Sequence, residues 1–271
     1  MLRCLLLSFA ILFFAAGAVA QTDKPRQLTL NKQLVEVSGL AAASNGSVFA
    51  HNDEFGIVYE IDVEDGSMAR AFALGDPTVA ADFEGIAAYD GRIYLITSAG
   101  MLYEADISDH RERTRFNVYD TGAGAFCEVE GLSRAPADGA FFILCKRPRK
   151  GGPENRLLVY RWSLAERRPV TDPVFSIEFR DFLPGSEREA FRPAGIEWDS
   201  AANRILIVSS RSHIVYAFNE DGAFLRKSRL PADIHPQTEG LAVLQSGAVL
   251  VADEGGGRGR AGLISVYDEL P

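Results

Sequence analysis

Apolar and polar positions alternate in short runs along most of the chain, and beyond residue 20 nothing competes with them at a helical period. The segments SVFAHND (47–53), RIYLITS (92–98), AFFILCK (140–146), RILIVSS (204–210) and AVLVADE (248–254) are rich in Val, Ile, Leu and Phe. Each follows a turn signal: Asn45-Gly46, Asp90-Gly91, Asp138-Gly139, Ala202-Asn203 or Ser246-Gly247. Each is followed by a second β-rich run, IVYEID (57–62), MLYEAD (101–106), LLVYRW (157–162), IVYAFN (214–219) or LISVYD (263–268). The pattern predicts antiparallel strands joined by tight turns.

The strands belong to a repeat. Ahead of each turn stands a short phrase built on a glycine: EVSGLA at Gly39, DFEGIA at Gly85, EVEGLS at Gly131, RPAGIE at Gly195 and QTEGLA at Gly240. The glycines are 46, 46, 64 and 45 residues apart. A unit of this length with three evident strands and a less regular fourth, RAFALGD (70–76) in the first copy, is the mark of a β-propeller blade. The expected fold is all-β, a five-bladed propeller. Six blades are the alternative, because the third copy is long, but its extra residues (146–156 and 164–173) read as loops. The last copy stops after its third strand, and the spare segment RQLTLNKQLVE (26–36) is expected to supply the missing outer strand.

The first twenty residues carry one cation (Arg3), an apolar run and the small-residue pattern Ala18-Val19-Ala20. This is the layout of a secretory signal peptide cleaved before Gln21, with an uncleaved membrane anchor as the alternative. The expectation is a periplasmic or secreted protein whose residues 21–271 form one domain, most simply a monomer. Without Arg3 the chain has 27 basic and 37 acidic residues, a formal balance of −10. Such a surface disfavours nucleic acid and favours cations or neutral ligands. Cys127 and Cys145 remain after cleavage, and an exported chain permits a disulfide. The register inferred from the turns sets Cys145 opposite Glu130 rather than Cys127, which leaves the bond open.

Candidate chemistry comes from the residue before each repeated glycine: Ser38, Glu84, Glu130, Ala194 and Glu239. In a propeller the first strand of each blade lines the channel, so these positions form a ring containing three carboxylates. The ends of the second strands add two columns at the same mouth, Asn52, Thr97, Cys145, Ser209, Asp253 and then Asp53, Ser98, Lys146, Ser210, Glu254. Converging carboxylates must take a proton, a cation or a basic partner. One reading is a divalent cation, with Ca²⁺ first because the ligands are all oxygen, held by Glu84, Glu130, Glu239, Asp53, Glu54, Asp253 and Glu254. Asn52 and His51 would be neutral ligands, and Lys146 and Arg211 counter-charges or ligand-binding groups. The other reading is structural, with the carboxylates accepting backbone or neighbouring-blade hydrogen bonds. His235 lies near the same rim. No nucleophile, zinc or phosphate-loop motif appears.

The ordered series VSGLAAASNGSVFAHND, DFEGIAAYDGRIYLITSAGMLYEADI, EVEGLSRAPADGAFFILCK, AGIEWDSAANRILIVSS and PQTEGLAVLQSGAVLVADE resembles the SdiA-regulated (YjiK-like) family of bacterial β-propellers over about residues 30–268. That family's name implies regulation of a gene and no chemistry. Ala194 departs from the family pattern if its small residue there is serine. More loosely, the D-x-E-G-h-A phrase is similar to esterase-like phytase and gluconolactonase-like propellers, which implies a divalent cation in the channel and, in some members, ester or phosphoester hydrolysis. The functional expectation is an exported propeller binding a small ligand or divalent cation at an acidic channel mouth. A metal-dependent hydrolase of phosphate esters or lactones, and a scaffold for an envelope protein partner, are the alternatives.

Overall fold

Residues 24–256 and 259–271 are described by a computed structural model of the chain. The expected signal peptide lies outside them. Among the described residues no helix is long and apolar enough to cross a membrane.

The strands form five sheets arranged as the blades of a propeller, antiparallel throughout except for a short edge strand, Arg113–Thr114, that pairs parallel in blade one. The inner strands are Val37–Ala42, Phe83–Tyr89, Cys127–Arg134, Pro193–Asp199 and Thr238–Val243 for blades one to five. Each packs against the next and the fifth against the first, which closes the ring. Five blades, not six, account for the repeats. Arg26–Thr29 pairs antiparallel with Leu263–Tyr267 as the outer strand of blade five, so the first and last described segments share one sheet. Two backbone bonds reinforce this closure, from Leu30 N–H to Gly262 O and from Gly255 N–H to Val35 O. The extra length of the third copy is mainly loop, but it also contains two one-turn helices, Phe179–Phe182 and Gly185–Arg188, between blades three and four. Their Phe179 and Phe182 pack edge-on against Phe191, an aromatic cluster that periodicity alone does not announce.

The apolar core is divided among the blade interfaces, because each sheet buries both faces. Phe142 and Leu144 of blade three meet Ile196, Ile207 and Tyr216 of blade four, and Leu40 and Ala50 of blade one meet Leu250 and Ile264 of blade five. The repeated glycines are where the inner strands come closest. A Cβ on Gly85 would stand 2.5 Å from the backbone nitrogen of Leu132, and one on Gly240 would stand 3.2 Å from the Cα of Gly39. Close approach of a neighbouring backbone explains the glycine in the second to fifth copies, while at Gly39 a Cβ would instead meet the His51 ring, with Nε2 at 2.5 Å.

The residue before the glycine is special for a second reason. In every blade the pairing of the inner strand with the second strand skips it, so Ser38, Glu84, Glu130, Ala194 and Glu239 are the extra residues of five equivalent β-bulges. The bulge corrects the register inferred from the turns. Cys145 pairs with Val129 instead of facing Glu130, and a disulfide joins Cys127 to Cys145 with Cα atoms 5.8 Å apart.

Candidate functional site

The five bulges sit where the inner strands begin, so they ring one mouth of the channel. A bulge leaves its residue without a ladder partner and re-aims its side chain. Glu84, Glu130 and Glu239 therefore converge from three blades, with Ser38 and Ala194 completing the ring.

Lys146 is their counter-charge. Its Nζ lies 2.7 Å from Glu130 Oε1 and 4.0 Å from Glu128 Oε1. Burial is the main force acting on all three glutamates, and it raises their pKa values. Glu84 is pushed further up by the neighbouring Glu130, while Glu130 is held back by Lys146. Glu239 is pushed up to about 8 by burial, then by Glu130 and Glu254. Three acids that resist ionisation beside one ammonium make a site that donates as well as accepts protons near neutrality. Glu130 Oε2 and Asp53 Oδ1 are buried without a hydrogen-bond partner among the described residues.

The two columns at the ends of the second strands separate by the period of the strand. The first column turns into the blades. Asp253 is fully buried, accepting from Thr238 Oγ1 at 3.1 Å and paired with His235 Nδ1 at 2.7 Å, and the other ring nitrogen of His235 meets Tyr267 Oη at 2.6 Å. Asn52 Oδ1 accepts from the Phe55 N–H at 3.1 Å, which shapes a local turn. The second column, Asp53, Ser98, Lys146, Ser210 and Glu254, stays half-buried at the mouth. Glu254 accepts from the side chain of Gln237, and burial followed by repulsion from Asp53 raises its pKa.

His51 is completely buried on the blade side of Gly39, with Nδ1 2.8 Å from the carbonyl of Asn52. Burial drives its pKa down to about 4, so it stays neutral at physiological pH. Glu54 lies exposed outside the ring. The seven acidic candidates thus divide into an inner trio (Glu84, Glu130, Glu239), a flanking pair (Asp53, Glu254), a buried structural acid (Asp253) and an exposed one (Glu54). Among the described residues no group of three or more His, Cys, Asp or Glu side chains is close enough to hold one metal ion. As placed, the trio does not fit a ready-made metal site, and Lys146 already occupies one carboxylate of it.

From Glu130, Glu239 and Lys146 the mouth widens into a cleft of about 1310 Å³ between blades three, four and five. Its far wall carries Arg192 and Arg211, and neither forms an ion pair among the described residues; Arg192 Nη1 donates to the carbonyl of Phe191 at 2.6 Å. Arg211 was singled out in the sequence, but Arg192 was not. Its signal is its place in RPAGIE, directly before the strand that carries the ring position.

No family model and no curated protein matches the chain. Solved structures do match it over most of its length. Myxococcus xanthus glutaminyl cyclase is 14% identical, with 90% of this chain and 94% of that one covered and a TM-score of 0.56. The PQQ-bound form of aldose sugar dehydrogenase from Streptomyces coelicolor is 10% identical, with 90% and 97% covered and a TM-score of 0.55. A luciferin-regenerating enzyme is 9% identical, with 90% and 95% covered and a TM-score of 0.54. Likeness at this level of identity concerns the fold alone: the chain is a β-propeller, and its chemistry rests on the side chains at its channel mouths.

Proposed function

We propose that the protein is an exported ligand-binding propeller that takes a small anionic molecule bearing hydroxyl or amine groups in the cleft at the glutamate mouth. One observation carries the reading: Arg192 and Arg211, both without a carboxylate partner among the described residues, line the same cleft as Glu130 and Glu239. Guanidinium groups free of acids suit a carboxylate or phosphate, and carboxylates that are partly protonated suit hydroxyl and amine groups. At about 1310 Å³ the cleft is larger than the roughly 300–1,000 Å³ of most small-molecule sites, so it holds such a ligand with room for water. The Cys127–Cys145 bond supports an oxidising compartment, periplasmic or extracellular. The glutamate order of the repeats supports kinship with the SdiA-regulated propellers.

A divalent cation, with Ca²⁺ first, is the competing reading; because the trio as placed does not form a metal site, a cation would have to displace Lys146 from Glu130 and draw the carboxylates together. Hydrolysis of a bound phosphate ester is the second reading of the same cleft. It is favoured by Glu239, whose pKa of about 8 keeps it protonated at neutral pH as a proton donor would need.

The test is thermal unfolding of the chelator-treated protein with sugar phosphates and hydroxy acids, and separately with Ca²⁺, Mg²⁺ and Mn²⁺. Saturable stabilisation by an anionic compound that is lost in Arg211→Gln supports the first reading. A ligand at about 100 times its dissociation constant adds about 2.7 kcal/mol. Stabilisation by a metal alone, lost in Glu130→Gln, replaces it with the cation reading. No shift with any of these compounds returns the glutamates to a structural role. Turnover of a generic phosphate monoester is the assay for the hydrolase.

A further inference from the structure

The opposite mouth of the channel, where the inner strands end, holds a second cavity of about 510 Å³ that is separate from the glutamate trio. Two residues beyond the repeated glycine the blades carry Ala41, Ala87, Ser133, Glu197 and Ala242, so one carboxylate stands in a ring of small side chains. Ser133 Oγ of blade three donates to Glu197 Oε2 at 2.9 Å, and the Val243 N–H of blade five lies 3.4 Å from Oε1. A carboxylate of blade four that reaches both neighbouring blades lies at the inner edge of the propeller, between blades three and five. Each of its oxygens has one protein donor and keeps acceptor capacity for another. Burial pushes its pKa up to about 7, and the Ser133 hydroxyl and Val243 N–H hold it back.

Arg134 lines the same cavity. Its guanidinium lies over the ring of Tyr89, 5.1 Å from the centroid, and it forms no ion pair among the described residues. The other charges nearby are neutralised in place: Arg70 by Glu60, Arg92 by Glu104 at 2.7 Å, and Asp199 by Arg204 at 2.8 Å. Asp90 belongs to an exposed turn. Around the cavity this leaves one half-buried acid and one exposed cation at the rim, not bonded to each other. A ligand of a single charge would engage only one of them, and a neutral ligand neither.

We propose that this cavity is a binding site for a small zwitterion of the α-amino acid type, with its ammonium on Glu197, its carboxylate on Arg134 and its side chain against Ala43, Ala88, Ala135 and Trp198. An ammonium has three donors for a carboxylate that still has room to accept, and a guanidinium grips a carboxylate with two parallel bonds. The alanine walls leave space and offer an apolar surface, which favours an apolar side chain. The site does not depend on what fills the first mouth.

Calorimetric titration of the purified protein with L-leucine and L-phenylalanine tests it, with N-acetyl-L-leucine and L-leucinamide as probes that each lack one charge. Saturable binding of at least one amino acid is expected, weakened tenfold or more by acetylation, by amidation, and in Glu197→Gln and Arg134→Gln. Should Glu197→Gln fail to fold by circular dichroism, Arg134→Gln, a change at the rim, decides alone. The proposal is overturned if neither amino acid binds or if a singly charged probe binds equally well. Binding that survives both substitutions but is lost in Arg211→Gln would place the ligand at the other mouth and overturn it as well.

Discussion

Glu130 and Lys146 are the unpaired residues of facing irregularities in one hairpin, and their side chains meet at 2.7 Å over the channel mouth. Pairing runs from Glu128 with Arg147 to Val129 with Cys145 and on to Gly131 with Leu144, skipping Lys146 on one strand and Glu130 on the other. Lys146→Met would leave Glu130 buried with both oxygens unpartnered. A loss of about 1–3 kcal/mol is expected, the cost of orphaning a buried acceptor. Adding Glu130→Met should recover most of it, since an apolar pair replaces a buried ion pair at little cost. Urea unfolding of the two variants checks this, and equal stability of Lys146→Met and the parent would show that the pair carries no weight.

The raised glutamates give stability a pH dependence of definite sign. Glu239 titrates near 4.5 in the unfolded chain and near 8 in the folded one, so between those values the folded state holds the extra proton. Its contribution is complete below the lower value and is lost as pH rises through the higher, by at most about 1.4 kcal/mol per pH unit. Glu84 and Glu130 shift in the same direction and add to the slope. Stability should therefore fall from about pH 5 to about pH 8, and less steeply in Glu239→Gln. Denaturant midpoints across that range for parent and variant are the measurement; parallel curves would contradict the assignment. A cation that binds the ionised trio should bind more tightly as pH rises and should release protons.

The Cys127–Cys145 bond closes a loop across 18 residues beside Lys146. A loop of that size is stabilised by about 3 kcal/mol in the chain-entropy account. The double Cys→Ser variant should unfold at a correspondingly lower urea concentration, with the far-ultraviolet spectrum of the native fold retained. Unchanged stability would mean that the bulged hairpin holds its shape without the bond.

The fold was legible because five copies of one phrase outweigh local ambiguity, and the N-terminal strand because the last copy lacks one. The convergence of Glu84, Glu130 and Glu239 was legible for the same reason. What the sequence hid was the bulge. A ladder counted from the turns drifts by one residue at the repeated glutamate, which moved Cys145 out of reach of Cys127 and set both columns at the mouth. Once the bulge is counted, strand alternation turns Asp253 into the blade toward His235 and leaves Glu254 at the mouth. Glu197 stands outside the columns in which acids recur. Its signal was the reverse, a single acid in a column of alanines and a serine.

The glycine of the repeat offers the sharpest test of the architecture. If Gly85 were there only for turn formation or flexibility, alanine would be tolerated, since its φ lies outside the left-handed region. Instead the added methyl would meet the backbone of the next blade, with Leu132 N at 2.5 Å and the Gly131 carbonyl carbon at 2.9 Å. Backbone cannot swing aside as a side chain can, so blades two and three would have to part. Overpacking of this kind costs about 1–3 kcal/mol, occasionally more. Gly185, in the short helix between blades three and four, is the control, because a Cβ there meets nothing within 4 Å. Gly85→Ala should lower the melting temperature sharply while Gly185→Ala leaves it level or raises it slightly. If both variants melt together with the parent, close approach of the inner strands is not what holds glycine at this position.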